Sequence, residues 1–149
     1  MKRFLCCFNK PIPSPQIIKW SDTVPFVPPI YHGMVIKVYD GDTITVASKL
    51  PYDNSPLYRF SVRLGGIDSP EIKGKTEEEK AHAIIARNAL SELILHKHIH
   101  LKNVRVEKYG RVLADVYLED IWVNKWMLDN NHVIPYNGGK KPIWNFNKE

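Results

Sequence analysis

Alternating apolar and polar side chains predict the strands of this chain. In the clearest case, residues 58–64, every second side chain is apolar: Tyr58, Phe60, Val62 and Leu64. This period of two buries the apolar set and places Arg63 on the opposite, polar face. Segments rich in Val, Ile and Thr or with similar alternation predict four more strands, at residues 34–39, 43–48, 98–107 and 112–118.

Helices are predicted at two places. Thr76 and Glu79 have the spacing of a capping box, in which Thr76 caps a helix and Glu79 reaches back to the N-cap. This helix should extend to about Leu95 and pack one face on the sheet, formed by Ile85, Ala86, Ala89, Leu90 and Leu93. A shorter helical pattern covers residues 123–131.

The order of these elements favours a small barrel. Three strands, a long helix, two strands and a short helix contain no parallel crossover, and Val104 and Val106 break the alternation where a bulge would bend a strand. We therefore predict a mainly β fold with α-helices (α+β), a five-stranded OB-fold β-barrel with one long and one short helix. Its predicted parts are a flexible Pro-rich N-terminal arm (1–31), a folded domain (32–136) and a basic C-terminal tail (137–149).

The composition is that of a soluble globular protein with a mild preference for anionic partners. Of the 149 residues, 44% are hydrophobic and 25% charged, and the net charge is +5. The only cysteines are the neighbours Cys6 and Cys7, so we expect no disulfide framework, which is compatible with a reducing interior. We also expect an intracellular, soluble protein and a monomer. Because Cys6 and Cys7 lie beside basic and apolar residues, acylation and membrane association are the alternative.

Charged side chains concentrate in three predicted turns, at residues 40–42, 68–71 and 108–111. If these turns meet at one end of the barrel, Asp42 and Asp68 supply the carboxylate oxygens that Ca²⁺ prefers, and the backbone carbonyl of Ser69 can join them. A single charged turn is most often a solvated loop. The hypothesis of a metal site therefore depends on the three turns coming together.

The same turns carry groups that suit a phosphate. Arg63 and Arg111 could flank the phosphate and stabilise the charge that grows on it during attack. Glu71 could position or deprotonate a water molecule. Lys108 and Tyr109 are candidates for substrate contact. Together with a metal, these residues predict hydrolysis of a phosphodiester.

Two other groups of side chains could contact metals or bases. Three histidines alternate along the chain at His96, His98 and His100. We expect them to be exposed on the flank of the barrel rather than to bind a transition metal. Trp122 and Trp144 could stack on nucleic-acid bases, whereas Trp126 is expected to pack against the protein.

Three motifs, taken in order, closely resemble the staphylococcal nuclease (thermonuclease) family. They are Asp40-Gly41-Asp42-Thr43, the stretch RLGGIDSPE at residues 63–71, and Tyr109-Gly110-Arg111. Val123-Asn124 also matches the family at the start of a helix after the last strand. The resemblance covers about residues 33–135. This chain differs from some members of the family in having only a short segment between Glu71 and Thr76.

The resemblance implies a Ca²⁺-dependent nuclease that cleaves DNA and RNA and generally leaves 3′-phosphate ends. It implies metal carboxylates at Asp42 and Asp68, phosphate-binding arginines at Arg63 and Arg111, and a catalytic glutamate at Glu71. The alternative is a non-catalytic OB-fold module that binds nucleic acid. The choices between DNA and RNA and between endonuclease and exonuclease action stay open.

Overall fold

The computed structural model describes residues 17–140 and residue 144. It contains a 3₁₀ turn at Trp20–Asp22 and two α-helices, α1 (Glu77–Ile94) and α2 (Val123–Asp129). The strands in chain order are β1 (His32–Val38), β2 (Thr43–Ser48), β3 (Tyr58–Leu64), β4 (Ile67–Asp68), β5 (His98–Val106), β6 (Val112–Leu118), β7 (Ile121–Trp122) and β8 (Ile134–Pro135). The predicted five strands and two helices are confirmed, and three two-residue strands are added.

Five of the strands close into a barrel. Antiparallel pairing joins them in the order β3-β2-β1-β5-β6. Strand β3 then pairs in parallel with β6, with Val62 opposite Val112 and Leu64 opposite Ala114. This last pairing leaves no open edge between the two strands, as closure of a barrel requires. The predicted five-stranded OB-type α+β fold is therefore correct.

A single apolar core fills the barrel. Inward-facing residues of the strands are completely buried, including Val35, Ile44, Val46, Val62, Leu64, Ile99 and Val116. Helix α1 covers one end of this core with a face formed by Ala83, Ala86, Leu90 and Ile94. The spacing of these four residues follows the helical period, so one side of α1 is buried while the other carries its charges.

Two predicted core residues are exposed instead. Ile85 is 55% exposed because the buried face of α1 is centred on Ala86 and Leu90, which places Ile85 to one side. Tyr58 is 38% exposed because it begins β3, where the strand has not yet reached the core. Its hydroxyl forms a hydrogen bond of 2.5 Å with that of Tyr52 in the preceding loop.

The N-terminus of α1 differs in one contact from the predicted capping box. Thr76 caps the helix as predicted, because its hydroxyl accepts a hydrogen bond from the Glu79 N–H at 3.1 Å. The Glu79 carboxylate, however, reaches beyond the N-cap to the N–H of Lys75 at 3.0 Å and that of Glu71 at 3.5 Å. Gly74 makes room for this contact, since a Cβ there would lie 2.4 Å from Cδ of Glu79.

The predicted bulge occurs in β5. The register between β5 and β6 shifts between Lys102 and Arg105, and Asn103 has a φ of 51°. Asn tolerates this left-handed conformation better than most residues, and its side chain donates to Asp115 Oδ2 at 2.6 Å. The bulge bends β5 around the barrel.

Residues 17–27, the first part of the chain that the structure describes, are exposed. The side chains of Trp20 and Phe26 are 92% and 72% exposed, whereas Ile30 is buried in the core. Cys6 and Cys7 lie outside the described residues. Their acylation and the domain boundaries therefore stay predictions. None of the helices in the described ranges combines the length and the apolar character needed to cross a bilayer.

Asn124 holds α2 against the barrel. Its side chain is buried, with Oδ1 accepting from the Val116 N–H at 2.9 Å. Its Nδ2 donates to the carbonyls of Gly65 at 2.8 Å and Ala114 at 3.3 Å. One amide thus joins α2, β6 and the turn after β3, which carries the residues of the candidate site.

Replacing Asn124 with Ala should lower the free energy of unfolding by about 3 kcal/mol, because it leaves a buried N–H and a buried carbonyl without partners. Urea denaturation followed by circular dichroism would measure the loss. Asn88→Ala, at an exposed position of α1, is the matched control and should change stability by less than about 0.5 kcal/mol. Equal stability of the two variants would contradict this role of Asn124.

Candidate active site

Asp42 is a buried carboxylate at the turn between β1 and β2. Only 2% of the residue is exposed. Its Oδ1 accepts hydrogen bonds from the Thr43 hydroxyl at 2.8 Å and from Nη1 of Arg63 at 3.1 Å. Its Oδ2 accepts from the Ser69 N–H at 3.0 Å. Asp40 shapes the turn, since its Oδ1 accepts from the Asp42 N–H at 3.2 Å.

Arg63 lies between two buried carboxylates. Its Nη2 is 3.1 Å from Oδ2 of Asp42 and 3.0 Å from Oδ1 of Asp68. The Arg63 side chain is 15% exposed, whereas each aspartate side chain is 3% exposed. Alternation along β3 turns Arg63 away from the apolar core, and β4 follows a glycine turn that brings Asp68 back to it. Two of the predicted turns therefore meet.

Charge is not balanced at this cluster. Burial raises the pKa of Asp42 from its ordinary 3.8 to about 6, and the nearby Asp40 adds to the effect, while Arg63 opposes it. Burial alone would lower the pKa of Arg63, but the charges of Asp42 and Asp68 raise it on balance. The cluster has more carboxylates than cations, so an added positive charge would be stabilised there.

Ser69 ties the two acidic turns together. Its hydroxyl accepts from the Gly41 N–H at 3.2 Å, and its own N–H donates to Asp42. A Cβ at Gly41 would lie 2.6 Å from the Ser69 hydroxyl and 2.8 Å from Cβ of Ala86. Glycine is thus required at position 41 by close packing rather than by turn geometry. The predicted metal-binding role of the Ser69 carbonyl stays a prediction.

Glu71 lies on the loop immediately after this cluster. Residues Asp68, Ser69 and Pro70 are buried, and Glu71 is the first exposed residue after them. Its carbonyl accepts from the Gly74 N–H at 2.8 Å, and its N–H faces the Glu79 carboxylate. Glu71 is therefore carried at the surface on a short loop that is attached to the start of α1.

Arg111 reaches the same region through Glu107, a residue that the motifs did not indicate. Nε of Arg111 forms an ion pair with Oε1 of Glu107, whose charge also acts on Arg63. Within the described residues, this ion pair leaves the two terminal nitrogens of Arg111 available to a ligand. Glu107, directly before the third predicted turn, therefore links Arg111 to Arg63. The coupling between Arg63 and Glu107 could not be inferred from motif spacing.

The two predicted substrate contacts lie in the turn before Arg111. Tyr109 is 74% exposed, and Nζ of Lys108 lies 4.8 Å from the centre of its ring. Trp144 contacts the acidic cluster directly, since its Nε1 lies 3.4 Å from Oδ2 of Asp68. Sequence patterns did not indicate this contact, since Trp144 is far from any motif.

The donor set fits a hard cation. No group of three or more His, Cys, Asp or Glu side chains with the geometry of a metal site occurs within residues 17–140. Asp42 and Asp68 instead provide two buried carboxylates on either side of the Arg63 guanidinium. This cluster has excess negative charge. Carboxylate and carbonyl oxygens suit Ca²⁺ and give no preference for softer metals.

Comparisons with known proteins identify a family and relatives that are similar to this chain. Residues 61–133 match the family described as "Staphylococcal nuclease homologue". The chain is 31% identical over 74 residues to "Probable staphylococcal-like nuclease CAN3" of Oryza sativa subsp. japonica, which covers 50% of this chain and 18% of that protein. It is 33% identical over 87 residues to "Micrococcal nuclease" of Shigella flexneri, covering 58% of this chain and 42% of the other.

A third relative, an "Uncharacterized endonuclease" of Escherichia coli, is 32% identical over 98 residues, which cover 65% of this chain and 56% of that protein. The matched segments thus span 18% to 56% of these relatives' own lengths. The family match begins in β3 and ends after α2, so it includes Arg63, Asp68, Glu71 and Arg111, whereas β1, β2 and Asp42 lie before it.

Removing the Arg63 side chain should destabilise the fold as well as the site. Arg63→Ala leaves Asp42 and Asp68 buried without their cation, so we expect a loss of about 3–5 kcal/mol at neutral pH in EDTA. Adding Asp42→Asn to this variant should recover part of the loss. Arg59→Ala, an exposed position on the same strand, is the control and should cost less than about 0.5 kcal/mol.

The loss should also depend on pH. The folded-state pKa of Asp42, about 6, lies above its ordinary value of 3.8, so its ionisation costs stability as pH rises through 6. Without Arg63 this cost grows, and the destabilisation measured by urea unfolding should be smaller at about pH 5 than at about pH 8. A loss that is the same at both pH values would show that the carboxylates do not depend on Arg63.

Proposed function

Because the chain belongs to the staphylococcal nuclease homologue family through residues 61–133, we propose that it is a calcium-dependent nuclease. It would hydrolyse phosphodiester bonds of DNA, RNA or both, act as an endonuclease and leave 3′-phosphate ends. The observation that supports this most directly is the contact of Arg63 with both Asp42 and Asp68, which are buried at the barrel end. Buried ionisable groups with perturbed pKa values concentrate at functional sites, because stability alone does not favour them.

Asp42 and Asp68 would hold the metal, with the Ser69 carbonyl as a further ligand. Bound Ca²⁺ would supply positive charge that polarises the phosphate and makes a water molecule more acidic. The protein residues around it have separate tasks. Arg63, held at its position by the two carboxylates, would face the phosphate from the buried side. Arg111 would approach from the rim, where its terminal nitrogens have the geometry for two phosphate oxygens.

Glu71 would position the attacking water or accept its proton. Its exposed side chain directly follows the buried cluster, so it can reach solvent and substrate at the same time. Lys108 and Tyr109, in the turn beside Arg111, would contact the polymer next to the cleaved bond. The attack places one new oxygen on phosphorus and expels the 5′-oxygen of the next nucleotide, which yields the 3′-phosphate end.

Glu71→Gln tests this assignment. We expect turnover to fall by about 10²–10⁴-fold, because the amide cannot accept the proton of water. Cleavage of single- and double-stranded DNA and RNA, with Ca²⁺ and with EDTA, would measure it, and end-group analysis would identify the 3′-phosphate. Glu78→Gln, another exposed glutamate nearby, is the control and should retain full activity. A wild-type protein that binds these polymers but cleaves none would instead be the non-catalytic module.

Glu79 should position the loop that bears Glu71. Its carboxylate is the acceptor for the N–H groups of Lys75 and Glu71, so Glu79→Ala would let the loop move. We expect kcat to fall by about tenfold or more with little change in KM, since small displacements of a catalytic group are costly. Thr76→Ala is the control. It removes the helix cap, which should lower the free energy of unfolding by about 1 kcal/mol, but it keeps the Glu79 carboxylate. Equal kcat values in the two variants would reduce Glu79 to a stabilising residue.

A further inference from the structure

A row of aromatic side chains, none of them part of the candidate active site, crosses the outer wall of the barrel. It consists of His32 on β1, His100 on β5, Tyr117 on β6 and Trp122 on β7, with Lys102 beside it. Each residue is the register partner of the next, from His32 to His100, to Tyr117 and to Trp122. The row therefore runs perpendicular to four strands, over about 14 Å at the usual strand spacing.

The row contains one stacked pair of rings, one edge-to-face pair and one cation over a ring. Tyr117 and Trp122 lie nearly parallel, at 9°, with ring centres 6.2 Å apart. Nζ of Lys102 lies 4.3 Å from the centre of the Tyr117 ring, and His32 and His100 meet edge to face at 6.5 Å. His32, His100, Lys102 and Trp122 are exposed, Trp122 by 41%. Hence Trp122 presents aromatic surface to solvent while Tyr117 is packed between Trp122 and Lys102.

We propose that this aromatic row is a second binding site for single-stranded nucleic acid, at which unpaired bases stack. Bases stack on aromatic side chains with little dependence on sequence, and exposed aromatics on a four-stranded sheet are a known way to hold two or three bases. Lys102 would contact a phosphate between them. This inference rests on the proposed nuclease function, because the aromatic row would bind a further part of the nucleic acid that the candidate active site cleaves.

The charges around the row offer few phosphate contacts. Lys102 lies beside the row, and Asp115, Glu119 and Asp120 lie close by on β6 and the turn after it. A duplex, whose binding depends on many phosphate contacts, would gain little there. Unpaired bases, which a duplex does not expose, would gain stacking energy on the rings in addition to the phosphate contact of Lys102.

The position of the row suits a nucleic-acid strand that also reaches the candidate active site. Tyr117 follows Arg111 by six residues along the same strand direction, which corresponds to about 20 Å. The row lies on β1, β5, β6 and β7, whereas the surface that OB folds most often use for oligonucleotides is on the second and third strands. It would therefore add contacts to a polymer longer than the few nucleotides at the cleaved bond.

The test is binding of fluorescent oligothymidylates of about 4 and about 16 nucleotides, the range of site sizes in OB folds, measured by anisotropy in EDTA so that nothing is cleaved. Wild-type protein should bind the long oligonucleotide more tightly. Trp122→Leu and Tyr117→Leu should weaken binding of the long one by about tenfold and abolish most of the gain with length. Binding of the long oligonucleotide should also be measured between about 50 and 200 mM salt. Lys102→Ala should lower the slope of the logarithm of its affinity against the logarithm of salt concentration by the equivalent of about one phosphate contact.

Tyr52→Leu is the matched control, since Tyr52 is 52% exposed but lies in the loop between β2 and β3. It should bind both oligonucleotides like the wild type. The proposal is overturned if the row variants keep the wild-type gain with length, or if Tyr52→Leu loses as much. Lower melting temperatures with unchanged binding would show that the Tyr117–Trp122 pair only stabilises the hairpin of β6 and β7.

Trp122→Phe and Lys102→Ala keep the test valid if Trp122→Leu does not fold, because the first retains a ring and the second changes only an exposed side chain. Trp122→Phe should preserve most of the gain with length. The assay also separates two kinds of failure. A wild-type protein that cleaves nothing with any metal would refute the nuclease proposal, while the length dependence in EDTA would still decide on the row.

Discussion

The candidate site depends on one interaction, the contact of Arg63 with Asp42 and Asp68. Each of the three groups would be costly to bury alone, and only together do they remain charged inside the end of the barrel. Pairing also determines which way Arg63 points, because alternation along β3 only turns it away from the core. Burial, with a smaller contribution from Asp40, raises the pKa of Asp42 to about 6. The carboxylates exceed the cations in the cluster, so an additional cation suits it.

Much of the neighbouring structure serves to keep these groups in contact. Ser69 connects the Asp42 turn to the Asp68 turn, and glycine at position 41 lets that turn approach Ser69 and Ala86 closely enough for the connection to form. Asn124 fixes the backbone at Gly65, between Arg63 and Asp68, by joining it to α2 and β6. Stability and function are therefore linked here, since the contacts that hold α2 also determine the geometry of the turn after β3.

The sequence was sufficient for the five barrel strands and the two helices, and insufficient for the contacts between the charged residues. The period of two in β3 predicts that Arg63 faces away from the core, but it contains no information on which carboxylates it meets across the barrel. Glu107 was missed because a single acid at the end of a strand has no pattern of its own, and its role depends on its proximity to Arg63 and Arg111. Ile85 was assigned to the wrong side of α1, since neighbouring apolar residues allow more than one buried face. The two-residue pair of β4 and β8 was missed because it is shorter than any detectable period.

The same pairing that builds the site limits how strongly it can hold a polymer. Nη1 and Nη2 of Arg63 already donate to carboxylates, so a phosphate gains less from this arginine than it would from one that was fully solvated. The net charge of +5 is modest, and acidic side chains lie on several turns, so phosphate contacts alone provide limited affinity. If the protein cleaves a polymer as proposed, it would need binding energy from groups that do not compete with the charges of this site. Stacking meets this condition, because it depends on aromatic surface and is little affected by the buried cluster. The exposed ring of Trp122, at the end of the aromatic row, is of this kind.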